Sequence, residues 1–445
     1  MSFLNYRRRV LAALAAFGLA GALGACENGL LEVKNPGAVN DADLDDPLVQ
    51  QQIVNTVVGS FQTMYDDLVF AGALLSDEGV NGHNFTQWIE INLRVLEESN
   101  SILGSDIYGP LQRARAAGDN LSQRLRGILG DKAGSDLGLA RALAYAGYGN
   151  IMLAEYFCES PVADDQPALS SDDIMRRAIG RFDEAIQIAT AARANAAAVN
   201  PATTASRAAV AGADSIANMA RVGAARASLW LGDKTKAVQY ASAVPASFVM
   251  WLNYSDNKAF QENRLFAATS GSGRYLGVSA KFRNLNDPRI RHNATAQSGH
   301  SPDAILFTPR LGPSHTGWSA AAAGEFAKNT GIRLSSGLEA QYIVAEAQGP
   351  NAANIAFVNS RRAVGGQAAL AATVSPADFL AALREQRSRD FFMDGHRLGD
   401  LRRYKKQYGV DEFNKGTHPV AKWGNYGTAE CFPPSLAERI GNPAY

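Results

Sequence analysis

Arg384 to Arg403 is the densest run of ionisable side chains in the sequence, holding Glu385, Arg387, Arg389, Asp390, Asp394, His396, Arg397 and Asp400. Glu385 and Arg389 stand four apart, as do Gln386 and Asp390. That spacing brings side chains together on one helix face, where an exposed pair adds about 0.2–0.5 kcal/mol. Phe391, Phe392 and Met393 follow directly, so the stretch is expected to be partly buried. A partly buried Arg–Asp pair fixes geometry more than it adds net stability. Gly395 reads as a helix C-cap that needs a positive φ. His396 and Arg397 then start a second helix, with Asp400 and Arg403 one turn apart. No nucleophile or metal motif accompanies the segment, so it reads as a structural ion-pair knot at a helix–turn–helix corner.

The remaining candidates for chemistry are sparse. Asp77 and Glu78 could work as acid and base, but adjacent carboxylates on one loop read as solvated side chains. The histidines at 83, 292, 300, 315, 396 and 418 are scattered. His292 and His300, eight apart in a loop, are too loosely spaced for a metal pair. There is no His-Glu-x-x-His, Cys-x-x-Cys, Gly-x-Ser-x-Gly or P-loop. Gly271, Ser272 and Gly273, followed by Gly277, have the wrong spacing for a dinucleotide loop. A glycan hydrolase would need two suitably placed carboxylates, and the sequence names no such pair. The reading is therefore no catalytic residue, no cofactor and no metal.

Binding is the better prospect. Sugars present apolar faces and hydroxyl rims, which aromatic platforms and Asp, Asn, Gln or Arg side chains complement. Trp88, Trp251, Tyr254, Tyr275 and Trp318 are the candidates, each weighed against ordinary core packing. Trp230 is assigned to the core.

These residues need a scaffold, and the sequence supplies a helical one. Apolar residues recur at three- and four-residue steps over 48–75, with Ile53, Val57, Val58, Phe61, Met64, Tyr65 and Leu68. Further helices are predicted at 86–101, 108–129, 136–157 and from Ser171, with Asp136 and Ser135 as caps. Residues 193–205 read as a loop. Helices at 215–231 and 235–244 join through Gly232, Asp233 and Lys234, with Ala225, Ala237 and Ala241 letting them approach. This pair resembles a tetratricopeptide hairpin, but no period near 34 is sustained. From Pro245 to about Leu334 Gly, Pro, Asn, Ser and aromatics dominate, with short β-like pieces at 274–282 and 304–308. Helices return at 336–348, 352–362, 376–393 and 397–408, and the tail from 411 is loop-like.

The chain has 445 residues, 43 basic and 43 acidic side chains, and 46% hydrophobic residues. That is ample for a core and excludes disorder. Zero net charge argues against a nucleic-acid partner. Arg7, Arg8 and Arg9 precede an uncharged run, Val10 to Leu23. The run falls short of the roughly 20 residues that span a bilayer but suits a signal peptide. Leu23, Gly24, Ala25 and Cys26 resemble a bacterial lipobox, which makes Cys26 a lipid-attachment site and removes 1–25. Acyl chains would then anchor the mature protein to a membrane. In that oxidising compartment the two remaining thiols, Cys158 and Cys431, either form a disulfide or stay as separate buried thiols.

The segment 384–403 resembles the C-terminal signature of the SusD/RagB family of outer-membrane lipoproteins. Arg387, Asp390, Asp394, Gly395, Arg397, Asp400, Leu401 and Arg403 match in type, while Gln386, Asp390 and Asp394 replace glutamates and Phe391 replaces a leucine. Leu139 to Tyr148 resembles the family's Arg-Ala-aromatic helix. Leu338 to Ala347 with Phe357 to Arg362, Phe432 to Pro443, and Leu30 to Val33 after the lipobox resemble further family stretches, in the family's order.

The resemblance implies a mainly α, SusD-like fold of irregular tetratricopeptide-like helix pairs, with a loop-rich insert carrying a few short strands. It implies one domain over 48–445 after a lipidated tether at 26–47. The helical scaffold would occupy 48–244 and 336–408, a variable ligand-side insert 245–335, and a C-terminal loop segment 409–445. It further implies an outer-membrane, surface-facing lipoprotein that binds an oligosaccharide, or in some members a peptide. Such a protein delivers its ligand to a SusC-like TonB-dependent β-barrel transporter without cleaving it. A helical-repeat scaffold lipoprotein for envelope assembly is the alternative, and the aromatic insert argues against it.

Overall fold

Local capping sets most helix starts. In this computed structural model, which describes residues 47–163, 165–269, 274–310 and 327–445, Asp136 accepts the Leu139 N–H at 2.8 Å and starts helix α4. The lipobox with Cys26, the glycines at 271 and 273, His315 and Trp318 lie outside the described residues. The helices before α4 are α1 (Pro47–Leu75), α2 (Thr86–Leu93) and α3 (Gly109–Leu129), and α4 is Leu137–Tyr156. Next come α5 (Ser171–Ala197), α6 (Thr204–Trp230) and α7 (Lys234–Ala241). The short α8 (Arg264–Thr269) precedes α9 (Gly337–Gln348), α10 (Ala352–Val364), α11 (Pro376–Asp390) and α12 (Arg397–Tyr408). The fold is mainly α, and its strands form two-stranded pairings. No described helix is long and apolar enough to cross a membrane.

The periodic residues of α1 are its buried stripe: Val54, Val57, Phe61, Met64, Tyr65 and Leu68. Its last turns, from Val69 to Leu75, are buried all round, the mark of a helix passing through a core. Neighbouring helices then stack: α3 on α4, α4 on α5, α5 on α6, α6 on α7, and α7 on α9. Ala225, Ala237 and Ala241 are buried together with Ala340 and Ile343 of α9, so small side chains bring these three helices close. Burying such a continuous apolar seam is the main driving force for stacking.

Three boundaries differ from the sequence expectation. The helix predicted to reach Ser101 ends at Leu93, because Arg94 takes a left-handed φ of 60°. Its guanidinium leaves the helix line and donates to Ala429 O (2.7 Å) and Asn414 O (2.6 Å). A π-helical turn, Leu103–Tyr108, then leads into α3. The loop expected at 193–205 shrinks at both ends: α5 runs to Ala197, and α6 starts at Thr204 rather than near 215. A capping box does this, with Thr203 and Ser206 bonding each other's backbone N–H at 3.0 Å.

The aromatic-rich insert also contributes strands. Strand β1 (Gly79–Asn81) pairs antiparallel with β3 (Leu276–Val278), and β2 (Val249–Leu252) with β4 (Ile332–Ser336). β4 is buried throughout and escaped the sequence reading, since its Ser and Arg positions mask any apolar run. The C-terminal segment is fastened by a disulfide, Cys158–Cys431. Beside it Phe432 N–H donates to Tyr156 O (2.7 Å) and Cys158 N–H to Phe432 O (3.0 Å).

Candidate functional site

Three separate segments meet just beyond the β1–β3 pairing. Gly82 N–H donates to Tyr275 O (2.8 Å), Ser301 N–H to Gly82 O (2.7 Å) and His300 N–H to Arg274 O (3.4 Å). A Cβ at residue 82 would collide with the Arg274 carbonyl and Leu306, so only glycine admits this approach. The 81–83 backbone is pinned from beneath. Asn81 Oδ1 accepts the His83 N–H at 2.9 Å, and Asn92 Oδ1 accepts the Asn81 N–H at 2.9 Å. Asn92 is itself held by Leu74 O (2.7 Å) and His418 Nε2 (2.7 Å). His418 Nδ1 accepts the Val420 N–H (3.0 Å), which fixes Nε2 as the donor. Burial lowers the His418 pKa to about 4, so the ring is neutral at neutral pH.

This framework stacks aromatic rings at a surface. His83 lies between Tyr275, at 4.1 Å and 16° from parallel, and Phe85, at 4.4 Å. His300 stands edge-on to both His83 (5.5 Å) and Tyr275 (5.2 Å), and its Nδ1 is 3.0 Å from Asn84 Oδ1. Trp88 forms the floor, edge-on to Phe70 at 4.8 Å and stacked with His83 at 6.4 Å. Phe85 is 54% exposed, Asn84 and His300 are exposed, and Tyr275 is half-buried. His83 is buried, and that burial with His300 nearby lowers its pKa to about 4. Its Nδ1 has no hydrogen-bond partner in the fold. The cluster offers ring faces, amide groups and the neutral His83 imidazole. That inventory suits holding a sugar face.

Of the five aromatic candidates, this cluster takes in Trp88 and Tyr275. Trp88, 5% exposed, is core packing beneath the rings rather than a platform of its own. Trp251 is a half-buried strand residue cross-paired with Arg333. Tyr254 packs against the core with its hydroxyl donating to Gln62 O (3.0 Å). Sequence reasoning missed His83, Asn84, Phe85 and the aromatic setting of His300. The available signal was a His-Asn-Phe triplet directly after a glycine and before a helix.

The 384–403 segment forms a buried ionic joint between the N-terminal and C-terminal helices. Arg387 pairs with Asp400 (2.7 Å) and lies over the Phe391 ring. Arg403 bonds both Asp400 (3.0 Å) and Glu346. Asp390 receives Arg361 (2.5 Å), Arg289 (3.2 Å) and the Tyr342 hydroxyl (2.5 Å). Asp394 joins Arg333 (3.0 Å) and His396 (2.7 Å), and His396 reaches on to Glu339 (3.1 Å). Burial opposes a charge on His396, but Asp394 and Glu339 outweigh it and raise its pKa. Gly395 has the expected positive φ, 92°. It does not cap the helix, because Phe391 occupies that position; it turns the chain between α11 and α12.

Asp77 and Glu78 overturn the expectation of solvated carboxylates, since both are buried. Arg397 clasps Asp77 through two bonds of 2.6 Å, and Lys281 adds a third of 2.6 Å. Burial alone would raise the Asp77 pKa, and these cations instead hold it at about 2. Glu78 accepts the Met393 N–H at 2.9 Å, and burial pushes its pKa up to about 8. Arg397 also bonds Glu412 (2.8 Å). Asp77, Arg397, Lys281 and Glu412 are paired with one another and tie the end of α1 to α12.

No protein-family model and no curated protein matches the sequence. Solved structures do. A SusD superfamily protein from Bacteroides vulgatus superposes with a TM-score of 0.62 at 15% identity, over 89% of this chain and 99% of the other. The chain has the SusD fold. A SusD-like carbohydrate binding protein from Bacteroides vulgatus matches with a TM-score of 0.60 at 14% identity, covering 89% and 96% of the two chains. Surface glycan-binding protein A from Bacteroides thetaiotaomicron, in complex with laminarihexaose, matches with a TM-score of 0.61 at 14% identity over 88% and 98% of the two chains. The mainly helical architecture expected from the sequence is the architecture found.

Proposed function

We propose that this protein is a glycan-binding member of the SusD/RagB family, which captures an oligosaccharide and passes it to a TonB-dependent β-barrel transporter. The observation that carries the reading is the stack of Phe85, His83 and Tyr275, with its exposed ring and flanking amide. Two SusD-fold neighbours named for carbohydrate or glycan binding support it. The lipobox ending at Cys26 supports a surface-facing place on the outer membrane, with the domain over 48–445 held on the tether 26–47. Binding without turnover fits a site built of rings and amides.

The delivery step is tested by extracting the lipidated protein from its own outer membrane in mild detergent and identifying what accompanies it. A TonB-dependent barrel in stoichiometric amount is the expected result. Envelope-assembly components without a barrel would instead establish the scaffold role.

A further inference from the structure

Asp119 on α3 is surrounded by three guanidinium groups. Arg115, one turn earlier, places Nη1 2.9 Å from Asp119 Oδ2. From α5, Arg177 Nη2 reaches the same oxygen at 2.9 Å, and Arg181 Nε lies 2.8 Å from Oδ1. Among the described residues, Asp119 is the carboxylate within ion-pair distance of Arg177 and Arg181. Further along α5, Asp183 accepts the Tyr240 hydroxyl at 2.6 Å, and Glu184 gives both its oxygens to Arg126 at 2.6 and 2.7 Å. Within this cluster three guanidinium groups face one carboxylate, an excess of two positive charges.

The arrangement is directional. Arg115 and Asp119 are buried, and Gln112 Oε1 takes the Arg115 Nε–H at 2.8 Å. Arg177, with its side chain 33% exposed, and Arg181, 21% exposed, form the outer rim. Arg177 Nε is buried and lacks a hydrogen-bond partner. Like charges held this close in a half-buried setting repel, and a single carboxylate cannot use all their forked donors. A tetrahedral oxyanion with two negative charges neutralises the excess and accepts guanidinium forks bidentately.

We propose that Arg177 and Arg181, backed by Arg115, form a binding site for a doubly charged tetrahedral oxyanion, namely a phosphate monoester. The site lies on the α3–α5 scaffold and does not depend on the glycan reading of the aromatic cluster.

The test is calorimetric titration of the full-length chain with inorganic sulfate and with inorganic phosphate, against sodium chloride at matched ionic strength. Saturable binding is expected, weakened by at least about tenfold in Arg177→Gln and in Arg181→Gln, as loss of a charge-assisted fork predicts. Both side chains reach solvent, so these variants keep the fold. Asp119→Asn, which removes the competing carboxylate, is expected to bind the anion more tightly than wild type. Competition by a hexose phosphate would assign the ester to a soluble phosphorylated sugar. Arginine-dependent retention on phosphatidic acid vesicles would assign it to a lipid phosphate monoester. No saturable heat above the chloride control, or unchanged binding in both arginine variants, would overturn the proposal.

Discussion

The imidazole of His83 lies 4.1 Å from the ring of Tyr275 and 16° from parallel, although the two residues are far apart in sequence. This stack exists because Gly82 lets the 274–275 backbone approach, and it orients Phe85 toward solvent. A ligand platform thus depends on backbone contacts among three segments, none of which is distinctive alone.

The ionic joint is expected to be fragile when one partner is lost. Arg397→Met leaves Asp77 buried beside Lys281 alone, while Glu412 keeps Lys281 and Arg384. Removing one partner of a buried pair costs about 3–5 kcal/mol, so thermal unfolding should show a large drop in Tm. A shift near zero would show that the joint is more hydrated than its geometry implies.

Gly395 is expected to resist substitution for two reasons that add. Its φ of 92° disfavours any Cβ, and a Cβ there would lie 2.7 Å from the Tyr65 hydroxyl, which donates to Asp394 O. Gly395→Ala should cost about 1–3 kcal/mol in denaturant unfolding. Wild-type stability in the variant would contradict this account of the turn.

His418 gives the fold a defined acid sensitivity. Its folded pKa is lowered to about 4, against an ordinary value of about 6.5. The unfolded chain takes up the proton first, so this stability is fully present above about pH 6.5 and is lost as pH falls toward 4. The stability difference between wild type and His418→Gln should shrink over that window. A difference constant from pH 7 to 4 would show that the ring is not held neutral.

Much of the helical scaffold was legible because its signals are local. The α1 stripe, the Asp136 cap and the alanines of the α6–α7 pair each involve neighbours within a few turns. The site was less legible. Asp77 reads as solvated until Arg397, 320 positions away, is known to clasp it. Phe85 and His300 read as loop residues until Gly82 and Arg274 join their segments. Trp88 drew attention by residue type alone, and three-dimensional packing makes it a floor.

The lipid anchor has its own test. Cys26→Ala removes the thiol that acylation needs, so the protein should leave the membrane fraction. Retention of the variant on membranes would remove the lipoprotein reading while leaving the glycan site untouched.

The central claim is that the His83–Phe85–Tyr275 stack binds sugar. The most direct measurement is calorimetric binding of β-glucan and other oligosaccharides to wild type and to a Phe85→Ala, Tyr275→Ala double variant of unchanged circular dichroism. Aromatic contacts contribute about 0.5–1.5 kcal/mol each, so the account predicts saturable wild-type binding to at least one glycan, weakened roughly tenfold or more in the variant. Equal affinity in the two proteins would contradict it and place the glycan site elsewhere on the fold.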